Sequence, residues 1–169
     1  MKSKTHELRS LVNGRLIPHI YSRGFTKDMR KLYEPDTYSH LFIRLSRWNG
    51  PSLELVNIQF DLRGRPRFVM NLGVVPEKGV DYCGQKYSQE AADIAHLSQK
   101  ARLYASNRFF MRWFGIPFFR IPALRNPSLD KIVKQAVDLF PQAEAWLRDD
   151  TVGSNIRVQL TSSRNQSVW

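Results

Sequence analysis

The sequence predicts an α+β fold: a three- to five-stranded, mostly antiparallel sheet with N-terminal and C-terminal helices packed on one face. Three observations carry this. Apolar residues near both ends recur at helical spacing, those in the middle alternate with period two, and turn residues separate the alternating runs. With 169 residues the chain has the size of one domain with a real core, read here as residues 1–160. Residues 161–169 read as a disordered tail.

Leu8, Leu11, Val12, Leu16 and Ile20 mark an amphipathic helix over residues 5–23, with Gly24 placed as its C-terminal glycine. Pro18 lies inside this pattern. Its ring removes a hydrogen bond and crowds the carbonyl of Gly14, so a break or kink is expected within a turn of it. Residues 26–37 are polar. Leu41 to Trp48 is β-rich, and Asn49-Gly50-Pro51-Ser52 turns the chain. Val56, Ile58, Phe60 and Leu62 then alternate with Asn57, Gln59, Asp61 and Arg63. After the turn Arg63-Gly64-Arg65-Pro66, Phe68, Met70, Leu72 and Val74 alternate in the same way. These runs form a meander with an apolar and a polar face.

Residues 76–86 read as a loop, and residues 88–103 as a helix on the stripe Ala91, Ile94, Ala95, Ala101 and Leu103. Residues 109–119 are dense in aromatics and give no clear period. Ser128 caps a helix bearing Leu129, Ile132, Val133, Ala136, Val137 and Phe140, and Pro141 kinks it or starts another. Residues 156–160 read as a short strand.

Charge is the unusual feature of the composition: 26 Lys and Arg against 15 Asp and Glu give +11 at neutral pH. Residues 1–50 and 101–169 carry the excess, and residues 51–100 balance. This favours an anionic partner: an acidic protein or other anionic ligand, nucleic acid, or an anionic membrane surface; charge that serves only solubility is the competing reading. Cys83 is the single cysteine, so no internal disulfide forms. No stretch is apolar for the roughly 18–20 residues of a membrane span. A cytoplasmic location is the expectation.

The signatures of catalysis and metal binding fail. G-x-S-x-G and H-E-x-x-H are missing, and His6, His19, His40 and His96 are scattered. Gly79 to Lys86 has the first spacing of a phosphate loop but places Gln85 where that loop needs lysine. The sequence points to no cofactor, metal or catalytic residue. Two constellations remain. On the polar face of the meander, Asn57, Gln59, Asp61 and Arg63 face Arg67 and Asn71, with Arg44 and Ser46 from the first strand. Amides and guanidiniums in such a row suit a carboxylate, a phosphate or a peptide edge. A solvated sheet face, or one covered by a polar loop, is the alternative. Farther on, Arg108, Arg112 and Trp113 belong to an arginine-aromatic segment suited to stacking or docking, or to core packing.

The ordered set Pro18…Gly24-Phe25-x-Lys27, Phe42-x-Arg44, Val56-Asn57-Ile58-Gln59-Phe60, Phe68-Val69-Met70-Asn71-Leu72-Gly73-Val74, Arg108…Trp113 and a closing helix over residues 132–147 resembles the domain-of-unknown-function 4304 family of small bacterial proteins. The resemblance covers residues 6–147. It implies an α+β fold and brings no activity, cofactor or catalytic residue. The function expected is non-enzymatic binding of an acidic or anionic partner. Nucleic-acid binding is the alternative, although no RRM, KH or helix-turn-helix signature supports it; a small hydrolase or transferase follows third.

Overall fold

The architecture comes from a computed structural model and is described for residues 3–30, 40–106, 112–116 and 127–160. In chain order it runs α1 (Lys4–Leu11), a π-helical turn (Val12–Leu16), α2 (Ile17–Tyr21), β1 (Thr26–Lys27), β2 (Phe42–Asn49), β3 (Ser52–Phe60), β4 (Arg67–Val75), β5 (Val80–Tyr82), β6 (Gln85–Tyr87), a 3-10 turn (Ile94–His96), β7 (Gln99–Leu103), β8 (Phe114–Gly115), α3 (Leu129–Asp149) and β9 (Ile156–Leu160). The expected tail, residues 161–169, lies outside the described residues.

The main sheet has seven strands, more than the three to five expected. They follow the order β1-β2-β3-β4-β7-β9, with β8 also on β4, and every pairing between them is antiparallel. The register of the meander follows from its two turns. Gly50-Pro51 joins Asn49 to Ser52, with φ +57° at Gly50, the left-handed value a tight hairpin needs. Asp61 organises the next turn by accepting the backbone N–H groups of Arg63 (2.8 Å) and Arg65 (3.4 Å). Alternation alone puts Leu62 on the apolar face, but β3 ends at Phe60, so Leu62 falls in this turn and is 66% exposed.

The apolar face of the sheet carries Leu45, Val56, Ile58, Phe60, Phe68, Met70, Leu72, Ala101 and Leu103. Onto it pack Leu8, Val12, Leu16 and Ile20 from the first helix and Ile132, Val133, Ala136, Phe140 and Trp146 from α3. Helices from both ends of the chain thus share one face. The break expected at Pro18 is the π turn just before it, where Ile17 N–H bonds Val12 O, five residues back. The wider turn gives the proline ring room. It also limits the drift of about 40° that residues four apart show on a regular helix, so Val12, Leu16 and Ile20 all stay buried. Pro141 behaves differently: α3 runs through it without a break, with the proline on the exposed side. Ser128 caps α3 as expected, accepting Lys131 N–H at 3.3 Å.

Residues 88–103 are not a helix. They hold the 3-10 turn and β7, which fills the space between β4 and β9. Ala101 and Leu103 point to the core, and Lys100 and Arg102 point to the other face. The loop expected over residues 76–86 contains the β5–β6 hairpin. Residues 76–98 as a whole fold across one end of the second sheet face. There Ala92, Ile94 and Leu97 cover Leu53, Leu55 and Val75 in a smaller core. Gly73 permits this contact, since a Cβ at that position would lie 2.3 Å from Leu97 Cδ1. Arg30 fastens the segment by donating to Gln89 O (2.6 Å) and Ala92 O (2.8 Å), while Asp28 holds its guanidinium.

Candidate functional site

The register of five strands places Arg44, Asn57, Asn71, Arg102 and Arg157 in one row across the second sheet face. Cross-strand partners share a face, so these side chains are neighbours in sequence order of the sheet. At the β2–β3 end the row is tied into the fold. Asn57 is buried and donates to Asp93 Oδ1 (3.2 Å), the atom that also accepts Ile94 N–H (2.7 Å). Arg44 Nε lies 4.0 Å from Asp93 Oδ2. His96 Nδ1 accepts Asp93 N–H (3.0 Å), and Tyr87 stacks on the imidazole at 4.0 Å. Asn57 therefore serves the 3-10 turn, and this half of the face is covered, not wet.

The other end is different. Gln59 and Asn71 are half-buried, Asn71 Nδ2 donates to Gln59 Oε1 (3.0 Å), and Arg102 Nε donates to Asn71 Oδ1 (2.6 Å). The amide pair thus aims the Arg102 guanidinium. Arg157, exposed on β9, lies directly opposite Arg102, and Lys100 is on the same face two residues before it. Among the described residues, no carboxylate forms an ion pair with Lys100, Arg102 or Arg157. Burial first, and then the charge of Arg102, pull the Lys100 ammonium below the ordinary lysine range, while Asp93 pulls it up. The sequence pattern does not bring these three cations together, because the row depends on β7, whose residues carry a helix-like apolar stripe.

Arg63 and Arg67 leave the row. Arg63 is exposed in the β3–β4 turn, beyond the strand. Arg67 is bound to Asp61, with Nε 2.6 Å from Oδ2, and its guanidinium lies 4.6 Å from the centre of the Trp113 ring. Burial works to raise the Asp61 pKa. The Arg67 hydrogen bond and charge and the N–H groups of Arg63 and Arg65 outweigh it and hold this carboxyl below its usual range. Arg112 stands 5.9 Å from the Tyr104 ring, and its carbonyl accepts Ala105 N–H (3.1 Å). Arg112 and Trp113 thus lie just before β8, apart from the row. Arg108 lies outside the described residues.

A cleft of about 620 Å³ on the helix side is lined by Arg23, Arg47, Glu144 and Arg148. Arg47 is already engaged there. Its Nε donates to Glu54 (2.8 Å), Nη1 donates to Arg23 O (2.5 Å), and the group lies 4.3 Å from the centre of the Phe25 ring. Glu54 is fully buried, so this cluster closes the core. No described helix is long and apolar enough to cross a membrane. No protein-family model, curated protein or solved structure matches the chain.

Proposed function

We propose that this is a non-enzymatic binding protein that holds an acidic partner at the β7–β9 end of the second sheet face. One observation carries the reading: Arg102 faces Arg157 directly across two antiparallel strands, with Lys100 beside them, and no described carboxylate forms an ion pair with any of the three. Like charges in directly opposed positions destabilise a sheet, by amounts on the order of 0.2–1 kcal/mol. A carboxylate or phosphate seated between the guanidiniums turns that repulsion into charge-assisted hydrogen bonds. The ordered motifs that resemble the domain-of-unknown-function 4304 family support the fold and supply no activity. A cytoplasmic setting accords with the lone cysteine.

The test is titration of the chain with poly-glutamate, followed calorimetrically. Binding is expected at low salt and should weaken by about tenfold or more in Arg102→Gln or Arg157→Gln. It should also weaken as pH rises through the lowered pKa of Lys100, below the ordinary lysine range, because the ammonium is then lost. Absence of binding at low salt, or variants that bind as the parent does, refutes the reading. The net charge of +11 favours nucleic acid as a second reading. In that case an oligonucleotide outcompetes poly-glutamate and loses roughly 10³-fold in affinity between 50 and 200 mM salt for about six phosphate contacts.

A further inference from the structure

We infer that the acidic partner binds as an added strand on the free edge of β9, an inference that rests on the anionic-partner reading above. β9 ends the sheet. It pairs with β7 on one side, and among the described residues no strand pairs with its other side. The opposite edge, β1, spans two residues, a length that blunts strand addition. β9 spans five, contains no proline and bears one charge, Arg157. Leu160 at its end is 78% exposed.

The side chains of β9 specify what fits. Arg157 and Gln159 face the second sheet face, and Ile156, Val158 and Leu160 face the helix layer. A strand laid alongside continues both layers. On the second face its side chains meet Arg157, with Arg102 and Lys100 one strand farther in, so acidic residues belong there. On the helix side its side chains lie beside Val158 and Leu160, so apolar residues belong there. The occupant is therefore an extended segment alternating acidic and apolar residues. A second copy of this chain is disfavoured, because pairing β9 with β9 brings a second Arg157 toward the first on a chain of net charge +11.

The experiment uses the full chain and three synthetic peptides of about eight residues. One alternates Val and Glu, one is the same peptide N-methylated at every Val, and one is N-methylated at every Glu. In an added strand the N–H groups of alternate residues point toward β9 and the others point away. One methylated peptide should bind like the parent, and the other should weaken by about tenfold or more. Equal binding by both methylated peptides overturns strand addition and leaves the anionic-partner reading standing. If none of the peptides binds, that reading fails too. Arg157→Glu, checked for an unchanged melting profile, should prefer a Val-Lys peptide over Val-Glu. Retained preference for Val-Glu overturns the proposal, as does a stable dimer that the peptide does not dissociate.

Discussion

Glu54 and Arg47 are the pair on which single substitutions tell most. Glu54 is fully buried under α3, and its two oxygens take Arg47 (2.8 Å) and Asn49 (2.8 Å). Removing one partner of a buried pair costs about 3–5 kcal/mol when the other is sealed from water. Arg47 keeps Glu144 and some solvent access, so Glu54→Gln should cost somewhat less, about 2–3 kcal/mol, in urea denaturation. A smaller loss than Gln59→Ala would show that the cluster does not hold the sheet to α3. Asp61 gives a pH signature. Its folded pKa lies below the unfolded one, so the native state binds its proton more weakly. The stability from the Arg67 contact is full above the unfolded carboxyl range and is lost as pH falls through the folded value. Asp61→Asn should therefore flatten the acid limb of the stability profile, and thermal melts from pH 7 to pH 2 measure it.

Among the elements, those whose residues repeat on their own were legible in the sequence. Val56, Ile58 and Phe60 alternate without help from the rest of the chain, and Ile132, Val133, Ala136 and Phe140 do the same at helical period. β7 was not legible. Ala101 and Leu103 supply only two inward positions, and Ala91, Ile94 and Ala95 upstream imitate a helix face. What makes residues 99–103 a strand is the edge that β4 offers, and residues distant in sequence provide that edge. The candidate site was half legible for the same reason. Arg44, Asn57, Gln59 and Asn71 lie on the meander, while Arg102 and Arg157 join them only through pairing. Residues 88–98 are held by the small second core and by Arg30, so Arg30→Ala should speed amide exchange at residues 88–98 and leave exchange in β3 nearly unchanged. Equal acceleration in both would mean that the cover and the sheet open together. Gly73→Ala pushes a methyl against Leu97 and should cost about 1–3 kcal/mol by thermal melt, an overpacking penalty.

For the whole molecule, the order of the strands sets the order in which the fold is completed during synthesis. β2, β3 and β4 close by short turns between neighbours in the chain, and β7 can dock on β4 soon after it is made. β9 pairs with β7 only after the long α3 has been added, which makes it the latest and most expensive loop closure among the described strands of the sheet. Until then a nascent chain presents the outer edge of β7 with Lys100 and Arg102 on it, beside a growing helix whose apolar stripe has no full cover. A chain stopped at Asp150 should thus self-associate or precipitate where the full chain does not, because an unpaired strand edge is a template for another chain. The segment that would grip a partner in the mature protein is, at birth, the clasp that keeps each copy from gripping its neighbours.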